Sequence, residues 1–152
     1  MKRLLFTAAL LFLFAPSVYA ENKGLISLKS PYDVKTTIDR LESILKEKGM
    51  VIFKRVNHTE GAKKAQLKLR PTELLVFGNP KVGTPLMQCS QSVAIDLPQK
   101  ALAWENKAGQ VWLSYNDADY IAERHNVSGC EKVINKIKNA LKNFAQKATA
   151  KP

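Results

Sequence analysis

The sequence predicts an α+β fold: a two-layer sandwich in which a mixed sheet of about five strands is covered by helices, the last of them long. Three observations carry this expectation. Stretches with strand chemistry alternate with stretches of helical periodicity, two strands joined by a tight turn come late in the chain, and a lysine-rich closing segment keeps its apolar residues on one face.

The first strand is Gly24 to Lys29, which alternates weakly. Ser30-Pro31-Tyr32-Asp33 then supplies a cap residue, a proline at the first helical position and an acid at the third. Val34, Ile38, Leu41 and Leu45 recur on one face of the helix that follows, and Gly49 stops it. Met50 to Val56 is rich in β-formers and makes the second strand. Thr59 to Leu67 reads as a short helix, broken at Arg70-Pro71. Glu73 to Phe77 is apolar at every position after the first, as expected of a strand covered on both faces or lying centrally.

Gly78 to Gln88, "GNPKVGTPLMQ", packs two glycines and two prolines into the exit from that strand. The glycines open backbone conformations closed to other residues and the prolines fix the chain beside them, so the segment reads first as a turn, with a short capped helix from Thr84. Glycine-supplied amides beside a helix start also suit an anion, but no phosphate-loop or dinucleotide pattern is present. Asn79 fits a plain turn least well, because a turn does not demand an amide there. After Ser92 to Leu97 and Pro98, the strands Ala101 to Asn106 and Gln110 to Tyr115 are joined through Lys107-Ala108-Gly109 as a hairpin. Asp117 caps a short helix to about His125. Ser128 and Glu131 have capping-box spacing, and Val133, Ile137, Leu141 and Phe144 line the closing helix, with Lys132, Lys136, Lys138 and Lys142 on its other side. Such a helix covers a sheet or lies on an anionic membrane. Residues 146–152 read as a flexible tail.

The N-terminus bears on compartment. Met1-Lys2-Arg3, the apolar run Leu4 to Ala15, and Val18-Tyr19-Ala20 compose a secretory signal peptide over residues 1–20, with cleavage expected after Ala20. The apolar run is roughly a dozen residues, short of the about 20 that a spanning helix needs. One domain, residues 21–145, and a periplasmic or secreted location follow. The chain has 24 Lys and Arg against 13 Asp and Glu, a net charge of +11; without Lys2 and Arg3 it is about +9, which suggests weak attraction to anionic surfaces. Nucleic acid suits the charge but not an exported chain.

Cys89 and Cys130 are the only cysteines, and in an oxidising compartment they are expected to pair. With His58 and His125 they also make two Cys and two His, but at none of the short paired spacings of structural zinc sites. There is no Cys-x-x-Cys redox pair, although Cys130, in the first turn of a helix, would have its thiolate favoured by the dipole.

Candidate ligand-binding residues are His58, Asn79, Tyr115, Asn116, Tyr120 and His125, all at strand ends or just past them, where loops gather ligand groups. Each also has a simpler role as a cap, turn or surface residue. Gly-x-Ser-x-Gly and His-Glu-x-x-His motifs are absent, so a hydrolase with His58 or His125 as base has no local signature.

The runs "LLVFGNPKVGTPLMQ", "AIDLPQKALAWE", "GQVWLSYND" and "YIAERH" resemble the domain-of-unknown-function 302 family, with similarity from about Leu25 to Lys142. The resemblance implies a compact two-layer α+β domain with no established catalytic activity. It also implies an acid before a histidine after the second strand, where this chain has Asn57-His58, and a small residue where it has Cys89, which makes the disulfide a local addition suited to export. The expectation is therefore an exported, non-catalytic binding module for an unknown small molecule or envelope protein partner, monomeric or homodimeric. The alternatives are a metal or haem-binding envelope protein using His58 and His125, with Met50 and Met87 as further ligands, a hydrolase, and an electrostatic surface binder. The cofactor stays unassigned.

Overall fold

In the computed structural model residues 24–151 are described, and the expected signal segment lies outside them. The element order is β1 (Leu25–Ser30), α1 (Val34–Glu47), β2 (Val51–Asn57), α2 (His58–Lys64), β3 (Thr72–Gly78), α3 (Pro80–Cys89), a 3-10 turn over Gln91–Ile95, β4 (Gln99–Glu105), β5 (Val111–Asn116), α4 (Ala118–Arg124) and α5 (Glu131–Ala148). The strands form one five-stranded sheet in the order β1-β5-β4-β3-β2.

Every neighbouring pair is antiparallel, which corrects the mixed sheet expected from helices set between strands. A parallel neighbour requires a connection that runs back along the strand. Helix α2 instead stays at the edge where β2 ends and β3 begins, with Asn57 opposite Glu73. Only α1 makes a long crossover, and it carries β2 to the far edge of the sheet from β1, so the two never meet.

Helix α1 buries Val34, Ile38, Leu41 and Leu45, the stripe read from its periodicity. Its cap is Asp33, whose carboxylate accepts from the Thr36 N–H at 2.7 Å, rather than Ser30. Ser30 bonds the Thr37 hydroxyl instead, 2.7 Å away. Leu75 and Phe77 of β3 and Leu113 of β5 meet α1 and α5 in the core. Fully burying one such side chain contributes about 1.5–3 kcal/mol.

The closing helix begins later and ends later than expected. The Ser128 box does not form; Cys130 is the cap residue and the Glu131 carboxylate accepts from the Gly129 N–H. At the other end Ala148 is wholly buried, and residues 146–148 belong to the helix rather than to a tail. Arg40 accounts for this: its guanidinium donates to the Ala148 carbonyl at 2.9 Å and to those of Lys147 and Ala150, while stacking on the Tyr32 ring. Tyr32 itself donates to the Ala150 carbonyl.

Among the described residues, helices cover one face of the sheet only. The other presents Val56, Leu74, Val76, Leu102, Trp104 and Trp112, half-buried against one another and apart from the core. Trp104 donates its indole N–H to the Ser114 hydroxyl at 2.9 Å, and Ser114 meets Ser27 across the β1–β5 pair.

Candidate functional site

The Gly-Pro segment folds as a helix rather than as the turn expected of it. Asn79 is the N-cap of α3: its side-chain oxygen accepts from the Lys81 N–H at 2.9 Å, and Pro80 takes the first helical position, where no N–H is needed. The Asn79 amide also donates to the Gly49 carbonyl at 3.4 Å, tying the start of α3 to the α1–β2 turn. That is why an amide stands between Gly78 and Pro80.

Helix α3 and the 3-10 turn together form a flap from the end of β3 to the start of β4. Leu86 and Val93 anchor it in the core. Its far end is held twice. Cys89 and Cys130 are paired, their Cα atoms 6.5 Å apart, which fastens α3 to the start of α5. Asp96 and Ser92 grip His125 from either side, at 2.7 Å to Nε2 and 2.9 Å to Nδ1, and the Ser90 hydroxyl donates to the His125 carbonyl.

Between this flap, the sheet end and α5 lies a cavity of about 500 Å³. Met50, Phe53, Phe77, Val82, Met87, Leu97, Ile137, Leu141 and Phe144 supply most of its wall. Asn79, Thr84 and Gln99 add uncharged polar groups, and among the described residues Lys48 and Lys136 are its only charged lining groups. This volume falls within the range of small-molecule sites, which are concave, mainly apolar and carry few polar groups.

Of the six candidate ligand residues, only Asn79 lines this cavity. His58 opens α2 as an exposed residue at the opposite end of the strands, because antiparallel neighbours end at opposite ends. Tyr115 is a core residue, and burial, aided by the Asp117 charge, pushes its phenol up from the usual value. Asn116 pairs with Leu25 at the end of β5. The Tyr120 ring lies against the Gly24 backbone, leaving no room there for a side chain. His125 is absorbed by the Asp96–Ser92 grip, so His58, His125 and the cysteines do not gather. The residues of α5 and β2 that face the cavity carry no sequence signal of their own, since an apolar lining has the same pattern as core. Met50 and Met87 were weighed as ligands, and both line it.

An acidic cluster occupies the other end of the helical layer. Arg55 grips the buried Glu73 carboxylate with two nitrogens and reaches Asp39 at 2.6 Å. These acids raise the guanidinium's pKa, while Lys35 and Arg55 hold Asp39 below the usual carboxylate range. Its charges are spent on one another, at a distance in the fold from the cavity.

Residues 26–144 match the family described as domain of unknown function DUF302. The chain belongs to the DUF302 family. It is 44% identical over 121 residues to a fluoride-specific ion channel, FluC 1, of Brucella suis biovar 1 (strain 1330), covering 80% of this chain and 48% of that protein. The same identity and span relate it to FluC 2 of Brucella melitensis biotype 1, with 45% of that protein covered. This DUF302 chain thus spans less than half the length of these curated relatives. A crystal structure of an uncharacterised DUF302 protein from Bacillus stearothermophilus superposes with a TM-score of 0.74 at 18% identity, covering 82% of this chain and 97% of that one. The α+β fold is therefore that of the DUF302 family.

Proposed function

We propose that the protein is an exported, non-catalytic DUF302 domain whose cavity binds a single-chain amphiphile with an anionic head, a fatty acid being the simplest case. The cavity carries this reading: its wall is apolar, it is large enough for a small organic molecule, and its charged lining groups are two lysines with no acid beside them. An apolar tail would lie among Met87, Leu97 and Phe144, and a carboxylate would meet Lys48 or Lys136. Export rests on the signal-peptide pattern of residues 1–20 and fits the paired cysteines.

Displacement of bound cis-parinaric acid by oleate and by oleyl alcohol tests both parts. Oleate is expected to displace the probe at least about tenfold more tightly than the alcohol, from a charge-assisted contact of about 1.5–3 kcal/mol. Lys48→Gln with Lys136→Gln removes that difference, and Ala140→Phe, which fills the cavity from α5, abolishes uptake. Unchanged uptake in the Ala140→Phe variant would place the ligand elsewhere.

Met50 and Met87 favour a second reading, a haem-like tetrapyrrole, because two thioethers facing one apolar cavity with lysines at hand suit an iron porphyrin and its carboxylates. Titration with hemin distinguishes it: a Soret band altered by Met50→Leu or Met87→Leu supports the porphyrin, and an unperturbed free-hemin spectrum removes it. Cavity binding gives no role to the channel function named for the Brucella proteins, which extend well beyond the matched segment.

A further inference from the structure

We propose that the uncovered face of the sheet docks on an anionic bilayer surface, independently of what the cavity holds. Five strands turn one face to the helices and the other outward, and the outward face is apolar at its centre. Trp104 and Trp112 are directly opposed cross-strand partners there, next to Leu102 and Leu74. Lys29 on β1, Lys54 on β2 and Lys100 on β4 project from the same face. No outward strand position carries an acid, and among the described residues none of these three ammoniums pairs with a carboxylate. Lys29 lies 5.5 Å from the Trp112 ring centre, and Lys100 rests on the Asp96 and Pro98 carbonyls.

Indole rings with an apolar body and one polar N–H favour the headgroup region of a bilayer, and lysines beside them add attraction to anionic lipid. A second copy is the poorer occupant. Face to face it would set six lysines together with no carboxylate to receive them. Single-stranded nucleic acid also stacks on sheet aromatics. Here, however, Lys29 and Lys54 stand on the two edge strands, around the apolar centre rather than along one track. A planar anionic surface meets the exposed lysines of both edge strands and the centre at once.

Trp104 and Trp112 are the only tryptophans in the chain, so indole emission reports this face alone. The chain from Glu21, the form expected after cleavage, is mixed with vesicles of phosphatidylglycerol and phosphatidylcholine, or of phosphatidylcholine alone, with acyl-chain brominated lipid as quencher. The expected result is a blue shift and quenching on the anionic vesicles only. Lys29→Glu with Lys54→Glu weakens binding about tenfold or more, whereas Lys132→Glu with Lys142→Glu, an equal charge change on α5, costs less than about twofold. Binding without a change in tryptophan emission, equal binding to neutral vesicles, or equal losses in the two double variants overturns the proposal. Tighter binding of a single-stranded oligonucleotide than of the anionic vesicles overturns it in favour of a nucleic-acid face. The quenching of the unaltered chain decides the matter even if a variant fails to fold.

Discussion

Removing the Cys89–Cys130 link, by Cys89→Ala with Cys130→Ala, measures how far the flap over the cavity depends on it. The two residues are 41 apart in sequence. A cross-link closing a loop of that length withholds about 13 cal/mol/K from the unfolded chain, or about 4 kcal/mol at 25 °C. Residues 24–151 unfold with an entropy of about 0.27 kcal/mol/K near 60 °C, so the midpoint should fall by about 15 °C. Urea and thermal unfolding followed by circular dichroism measure both, and the urea slope should rise because the released chain exposes more surface. A loss under about 1 kcal/mol would refute the loop-closure reasoning. It would mean that the unfolded chain without the link already keeps residues 89 and 130 near one another.

Arg55→Met leaves the Glu73 carboxylate buried and unpaired and should cost about 3 kcal/mol in urea unfolding, while Arg55→Met with Glu73→Leu should recover most of it. Asp39 ionises below its ordinary value of 3.8 when folded, chiefly through its hydrogen bond to Lys35 and then Arg55. Its contribution is therefore complete above that value and lost as pH falls through the lower folded one. Unfolding free energies measured from pH 6 downward should show a shallower acid limb in Asp39→Asn. Gly24→Ala meets the Tyr120 ring and takes a left-handed backbone, φ +87°, so a loss of about 2 kcal/mol is expected in thermal melts, with only partial recovery in Gly24→Ala plus Tyr120→Ala, because the backbone strain stays.

Helix α1 was legible because its periodicity is set by a single buried face, which Ile38 and Leu45 obey; β3 was legible from its continuous apolar run, of which only Leu75 and Phe77 face the helices. The pairing of Cys89 with Cys130 was legible from compartment and count. Helix α3 was not, because Gly83 and Pro85 both oppose helix locally; Asn79, Pro80 and the anchoring of Leu86 override them. The cavity was invisible for a different reason. A wall residue such as Ile137 and a core residue such as Leu45 carry the same apolar signal, and only the packing decides which leaves a void. Of the polar strand-end residues only His58 is carried to the other end of the sheet by the antiparallel order; Tyr115, Tyr120 and His125 stay at the end where Asn79 lies but are taken up by the core, the Gly24 backbone and the Asp96–Ser92 grip.

Helix α5 is held at its start through Cys130 and at its end by Arg40, and α3 is held at its start by Asn79 and at its end through Cys89. Two of the walls around the cavity are therefore beams supported at both ends. Little conformational freedom is left for an occupant to remove, so binding should proceed with a small ordering penalty and discriminate by shape. A chain too bulky for the space is disfavoured, because moving either end of a beam aside breaks a fastening.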